Sequence, residues 1–369
     1  MIYFDHNAST PVDERVLDAM LPFLTTFHGN PSSLYRHGRL VRSAIDIARE
    51  QIATLISASP SEVLFTSGGT EANNLALNSL PPSGKLAISS IEHPSVSDFA
   101  KYQVTKGSIL HKIEVDSSGV IPLYTIENLL HLKPDLVSIM LANNETGVIQ
   151  NISQFTKILK YNNIAIHTDA IQAVGKINVS FEQLGVDLLT LSSHKIYGPK
   201  GCGALIYKKE QALTPLMLGG NQEKYIRPGT ENVPAIVGFG KAAELATIEL
   251  EQRNNYLESL RVKLESELIK IPNISIFSRE AQRLPNTVQF GIAGIDGEML
   301  LMHLDKNGIA VSSGSACKSG TEEISPVLKA MRVAPEIAKS AIRISLGMNN
   351  TVSELDHFID KLKSHINHN

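Results

Sequence analysis

Hydrophobic positions along this chain fall into short apolar runs separated by stretches with helical spacing. Residues 62–65, 85–89, 136–141, 164–168 and 186–191 are rich in Val, Ile and Leu and too short for helices, which predicts buried strands. An amphipathic helix is predicted over 39–56, and another over 70–80 after the tight turn Thr66-Ser67-Gly68-Gly69. Strands that alternate with helices predict an α/β fold with a mostly parallel sheet covered on both faces. The run 203–207 returns after only a short turn, so it predicts an antiparallel neighbour. At the start, YFDHNASTPVD reads as a short strand and a polar turn, with Asp13 capping a helix that begins at Glu14. After Pro234 the pattern becomes one long helix over 235–269, charged on one side and broken near Asn254-Asn255. Strands at 286–290 and 310–312 and two late helices follow. A boundary near residue 250 divides the chain into a large domain, 15–250, and a small domain built from 1–14 and 251–369.

Composition narrows the function classes. With 43% hydrophobic and 19% charged residues among 369, the chain is ordinary for a globular protein. A formal net charge of −3 supplies no general basic surface, so neither direct nucleic-acid binding nor an anionic membrane is expected. MIYFDHNAST lacks the charged-then-apolar pattern of a secretion signal, and no apolar run is long enough to span a bilayer. Two cysteines do not make a disulfide framework. The expected compartment is the cytoplasm.

The candidate chemistry gathers at the ends of the predicted strands. In VDLLTLSSHKIYGPKG an apolar strand stops at Ser192, Ser193, His194 and Lys195, a cluster of donors before the turn Tyr197-Gly198-Pro199. Ligands of open α/β sheets bind outside the carboxyl ends of strands, so Lys195 is a candidate imine-forming lysine beside an anion site; a solvated lysine in a β-turn is the alternative. Gly68-Gly69-Thr70 opens a helix, where free N–H groups and the dipole suit a single phosphate. It has neither the GxGxxG nor the GxxxxGK spacing of nucleotide loops. Asp169, in IAIHTDAIQAVG, ends a strand and serves either as a helix cap or as the carboxylate that keeps a pyridinium nitrogen protonated. Gln172 lies one helical turn on and can reach a ring oxygen. Asn143 and Asn144 in LANNETG are amides suited to a phenolic oxygen or a carboxylate, or else an Asx turn. His93 in SSIEHPSV is placed either to lie over an aromatic ring or to close a turn. Cys317, in VSSGSACKSG, stands among serines and glycines beside Lys318, the setting of a reactive thiolate. Cys202, in KGCGALIY, reads as a small core residue.

Taken together and in order, YFDHNASTPVD, FTSGGTEANN, IEHPSV, NNETG, HTDAIQAVGK, SSHKIYGPKG, RPGTEN, SSGSACKSG and IRISLG resemble the cysteine desulfurases of the class V aminotransferase group. The resemblance spans nearly the whole chain. It implies the fold type I architecture of pyridoxal-phosphate enzymes: a large domain with a mostly parallel seven-stranded sheet flanked by helices, plus a smaller α+β domain. It implies that Lys195 carries pyridoxal 5'-phosphate, Asp169 pairs with the ring nitrogen, Gln172 and Asn144 contact the ring oxygen and His93 stacks on the ring. By the same resemblance Gly69, Thr70, Ser192 and His194 would hold the phosphate, with Thr230 of RPGT reaching the phosphate of a neighbouring subunit, so a homodimer is implied. It also implies that Arg343 of IRISLG binds the carboxylate of L-cysteine and that Cys317 takes its sulfur as a persulfide for an acceptor protein serving iron–sulfur assembly or thiolation; no metal is implied. Selenocysteine lyase or another class V activity is the alternative within the fold, and a non-catalytic sulfur-relay protein the alternative outside it. The family pattern departs at Tyr35, where many relatives have histidine and this chain has His37 two positions later, and in the short stretch after the last helix, which bears on docking of a scaffold.

Overall fold

The computed structural model describes residues 1–313 and 324–367. The chain opens with β1 (Ile2–Tyr3), α1 (Glu14–Thr25) and α2 (Arg36–Leu55). Asp13 caps α1 as predicted, accepting from the N–H of Arg15. α2 buries Val41, Ile45, Ala48 and Ile52, a three-and-four spacing that makes one apolar stripe. Then follow β2 (Val63–Thr66), α3 (Gly69–Leu77), β3 (Lys85–Ser89), α4 (Pro94–Thr105), β4 (Ile109–Ile113), β5 (Leu136–Ser138), β6 (Ala165–Asp169), β7 (Leu188–Ser192) and β8 (Gly203–Tyr207). The remaining strands among the described residues are β9 (Ile274–Ile276), β10 (Thr287–Ile292), β11 (Ile309–Ala310) and β12 (Ile342–Ser345).

Seven strands form one sheet in the order β2-β8-β7-β6-β5-β3-β4. Neighbours from β7 to β4 are parallel, whereas β8 runs antiparallel to both β7 and β2. Every strand of this sheet except β8 therefore points its carboxyl end the same way. Side chains alternate between the two faces: Leu189, Leu191, Ala204 and Ile206 enter the core shared with Ile45 and Phe239, while Leu188 and Leu205 enter the core shared with Leu75 and Val96. Both faces are apolar, which is why these strands read as continuous hydrophobic runs. The strand β4 was not foreseen, because it lies at the sheet edge and its ILHKI keeps His111 and Lys112 among half-exposed positions.

The three-stranded sheet β12-β10-β9 is antiparallel, and β1 pairs in parallel with β11. A separate core of Phe4, Leu257, Leu264, Phe290, Ile344 and Phe358 packs around them. The long helix Val233–Leu268 serves both cores, sending Ile236, Phe239 and Ala243 into the first and Leu257, Leu260 and Leu264 into the second. The break expected at Asn254-Asn255 does not occur. Asn costs a helix well under ~1 kcal/mol relative to Ala, whereas each buried Leu contributes about 1.5–3 kcal/mol, so packing overrides propensity. Asn254 is also tied down, its Nδ2 donating to the carbonyl of Lys176 at 3.0 Å. Among the described residues no helix is long and apolar enough to cross a membrane.

Candidate active site

The carboxyl ends of β2, β3, β5, β6 and β7 lie along one edge of the large sheet, and the residues that follow them meet there. β7 ends at Ser192 and one turn of 3-10 helix, Ser193–Lys195, carries the lysine. Lys195 is half-buried, and its Nζ donates to the carbonyls of Asn7 at 2.5 Å and Ala8 at 2.7 Å. The solvated-turn alternative is thereby set aside. β6 ends one strand away at Asp169, which is 4% exposed. Its Oδ1 accepts from the N–H of Ile171 at 2.9 Å and its Oδ2 from Asn73 Nδ2 at 2.7 Å. Burial pushes the Asp169 carboxyl above its ordinary range, opposed by those two hydrogen bonds and by the charges of His93 and Lys195. A cationic group placed against it would favour the ionised form. The contact with Ile171 is the local turn bond that the capping alternative anticipated, made by one carboxylate oxygen.

His93 is the N-cap of α4, its Nδ1 accepting from the N–H of Ser95 at 3.1 Å and lying 2.8 Å from Ser95 Oγ. Burial pushes its pKa down, so the ring is neutral near pH 7. Asn73, on the buried side of α3, joins this pair by donating to both Ser95 Oγ and Asp169 Oδ2. The sequence reading missed Asn73; its position three residues into the helix after Thr70 was the available signal. Outside His93, an open cavity of about 570 Å³ is lined by Thr70, Asn74, Ser95, Asp98, Phe99 and Tyr102.

The anion end of the site is built from the start of α3 and the end of β7. α3 begins at buried Gly69, followed by exposed Thr70, and its first N–H groups have no partner within the helix. Gly203, opposite both Thr66 and Ser192 in the sheet, lets the turn approach: a Cβ there would stand 2.6 Å from the Gly68 carbonyl carbon. Ser192 Oγ is buried without a hydrogen-bond partner. His194 Nδ1 lies 3.3 Å from Ser9 Oγ, and burial lowers its pKa to about 4. It is a neutral donor or acceptor there, not a charge. Glu71 fixes the loop by accepting from the N–H of Ser67 at 2.7 Å and pairing with Arg227 Nε at 2.9 Å.

The other predicted residues are engaged within the chain, some as the sequence suggested and some not. Gln172 Nε2 donates to the carbonyl of Asn7 at 2.9 Å, and its Oε1 accepts from Lys176 Nζ at 2.8 Å. Asn143 forms the Asx turn, its Oδ1 accepting from the N–H groups of Glu145 and Thr146. Asn144 supplies its carbonyl to Arg343 Nη1 at 3.0 Å and to Asn7 Nδ2 at 3.1 Å. Arg343 is 3% exposed and pairs with Asp5 Oδ1 at 2.6 Å, leaving its Nε without a partner. Thr230 is exposed, in a stretch that also exposes Leu216, Met217, Leu218 and Tyr225. Cys202 is buried in the core as read, and burial pushes its thiol up to about 12. Cys317 lies outside the described residues. On either side of its segment, Ser312 forms a backbone bridge with Arg343 and Ser325 Oγ donates to buried Glu145 at 2.6 Å.

The donor set suits a ring bearing a phosphate. An orphaned buried hydroxyl and open helix N–H groups lie at one end, and a buried carboxylate with a flanking neutral imidazole at the other. Residues 2–358 match the family described as Aminotransferase class-V. A cysteine desulfurase IscS of Dictyoglomus turgidum is 43% identical over 368 residues, covering 98% of this chain and 93% of that protein. One from Methanosarcina thermophila is 43% identical over 364 residues, covering 97% and 90%. Among solved structures, a NifS-like protein from Rickettsia africae has a TM-score of 0.91 at 38% identity over 99% of both chains. SspA in complex with cysteine has a TM-score of 0.83 at 32% identity, over 94% of this chain and 99% of that one.

Proposed function

The chain belongs to the class V aminotransferase family and is a cysteine desulfurase, and from that premise we propose that Lys195 carries pyridoxal 5'-phosphate and that Cys317 receives the sulfur of L-cysteine. The observation that carries the reading is the placement of Lys195 and Asp169 at adjacent strand ends, both close enough for their charges to act on His93, with an unpartnered Ser192 Oγ beside the helix N-terminus at Gly69. Gly69, Thr70, Ser192 and His194 would hold the phosphate, Asp169 the ring nitrogen, and His93 one ring face. Gln172 already turns an N–H toward the Asn7 carbonyl that Lys195 uses, and would serve the ring oxygen together with Asn144. When bound, the cofactor supplies an aldehyde carbon and an electron sink for the pair released at the substrate α-carbon.

The chain's own groups account for the rest. Arg343 exchanges Asp5 for the substrate carboxylate, two charge-assisted contacts of the same kind. The Lys195 Nζ would act as the general base that takes the α-proton, and would later return a proton to the α-carbon. The Cys317 thiolate attacks the substrate sulfur: an S–S bond forms, the Cβ–S bond breaks, and its electron pair is protonated to give L-alanine. The persulfide left on Cys317 passes its outer sulfur to an acceptor protein, in iron–sulfur assembly or in thiolation of tRNA or a cofactor. Residues 15–250 form the large cofactor domain, and 1–14 with 251–369 form the small domain. A second copy covers the exposed Leu216–Leu218 and Tyr225 and brings Thr230 to the partner's phosphate, with the cytoplasm as the compartment.

The test is alanine formation from L-cysteine with a reductant present, alongside the visible cofactor band. Wild type should give both, and Lys195→Ala neither. Alanine formation by Lys195→Ala at the wild-type rate would refute the assignment.

A further inference from the structure

Lys176 is not needed by the reaction as derived, yet it is 6% exposed and stands directly behind the site. Its Nζ donates to Gln172 Oε1 at 2.8 Å and Asn7 Oδ1 at 2.9 Å, both neutral acceptors. The charged groups that act on it are Lys195 and Arg343, both cations, and burial pushes its pKa well below the ordinary lysine value. Whether it is an ammonium or a neutral amine, it has N–H groups for both acceptors.

A primary amide can present either its oxygen or its NH₂, and a donor on one side decides which. Gln172 Oε1 faces Lys176, so Gln172 Nε2 faces the Asn7 carbonyl, the same carbonyl that accepts from Lys195 Nζ. Asn7 Oδ1 receives both Lys176 and Asn286 Nδ2, so Asn7 Nδ2 turns to Thr287 Oγ1 at 2.9 Å and to the Asn144 carbonyl. That Asn144 carbonyl is the one Arg343 holds. Lys176 is the donor that faces Gln172 Oε1, and at Asn7 Oδ1 it shares that role with Asn286 Nδ2.

We propose that Lys176 is a positioning residue that fixes the amide orientation of Gln172, and together with Asn286 that of Asn7, so that Gln172 presents N–H donors to the cofactor oxygen and to the Asn7 carbonyl that Lys195 uses. The proposal rests on the cofactor reading only for what Gln172 donates to. A lysine, which can only donate when charged, sets this polarity more strictly than an amide or hydroxyl could. Losing it leaves the Gln172 amide able to rotate with its buried oxygen short of a donor, while Asn7 Oδ1 keeps Asn286.

The experiment is a double-mutant cycle on the holoenzyme with Lys176→Met and Gln172→Ala, read by the cofactor dissociation constant and the position and pH midpoint of its absorption band. Each single variant is expected to weaken cofactor binding about tenfold and move the band, and the double variant to be no weaker than Gln172→Ala alone. Losses that multiply, or an unchanged band in Lys176→Met, overturn the proposal. If Lys176→Met does not fold, Lys176→Arg, also donor-only, must keep the wild-type band, and a shifted band in it overturns the proposal. If the wild type binds no cofactor, the earlier reading fails separately, and a crystal structure of apo Lys176→Met decides: a rotated Gln172 amide supports the role and an unmoved one overturns it.

Discussion

The segment that leads to Thr230 contains three consecutive residues with left-handed backbone, Glu223 at φ 37°, Lys224 at 59° and Tyr225 at 63°. None is glycine, and the left-handed region costs about 1–2 kcal/mol per residue, so the turn stores roughly 3–6 kcal/mol. What holds it is Glu223, whose side chain is 3% exposed and which receives Arg49 at 2.5 and 3.0 Å and the N–H of Phe65 at 2.9 Å. Arg49 also lies over the Phe65 ring at 4.7 Å. Removing one partner of such a buried pair costs about 3–5 kcal/mol, comparable to the strain it restrains. Arg49→Met and Glu223→Gln should each lower stability by about that amount, while the double variant loses little more than one single. Urea unfolding at fixed protein and cofactor concentration, with midpoints compared at constant slope, measures this. Additivity within about 0.5 kcal/mol would show that the pair does not act as a clamp and refute the reasoning.

Three further outcomes follow. Burial raises Glu92 from its ordinary 4.5 to about 8, with Ser89 Oγ and the Met140 N–H opposing and the charge of Asp169 adding to the rise. The unfolded chain loses that proton first, so stability falls as pH rises from about 4.5 through 8; Glu92→Gln should gain on the wild type over that window, by at most about 5 kcal/mol, and a pH-independent difference in urea midpoint would contradict it. Gly203→Ala puts a Cβ 2.6–2.8 Å from the backbone of Gly68 and Leu191; it should lower stability by about 1–3 kcal/mol and weaken cofactor binding, both measurable by thermal unfolding and by cofactor titration. Arg343→Lys keeps the charge but loses the planar fork that meets Asp5 and the Asn144 carbonyl; steady-state kinetics should show KM for L-cysteine raised about 10-fold or more with a smaller change in kcat.

The large sheet was legible because its strands are apolar on both faces, as the split of Leu188 and Leu189 between two cores illustrates. Lys195, Asp169 and His93 were legible as strand-end residues, since in a parallel sheet those ends converge without any further information. Their partners were not. Asn7 lies 188 positions before Lys195, and nothing in YFDHNASTPVD shows that its carbonyl meets that lysine. Nothing in HTDAIQAVGK singles out Lys176, which is buried where Asn7, Gln172 and Asn254 of the long helix close on it. The pairing of Asp5 with Arg343 likewise joins opposite ends of the chain. Local pattern reports the element and the exposed end of a strand, while long-range closure decides which carbonyls and carboxylates arrive there.

The most direct measurement of the central claim is the intact mass of the holoenzyme after a single turnover with L-cysteine without reductant, together with the alanine released. One sulfur atom added to the wild type, located at Cys317 by peptide mapping and matched by equal alanine, is the predicted result; Cys317→Ala should show neither, with its cofactor band intact. Undiminished alanine formation by Cys317→Ala would contradict transfer of sulfur to this cysteine.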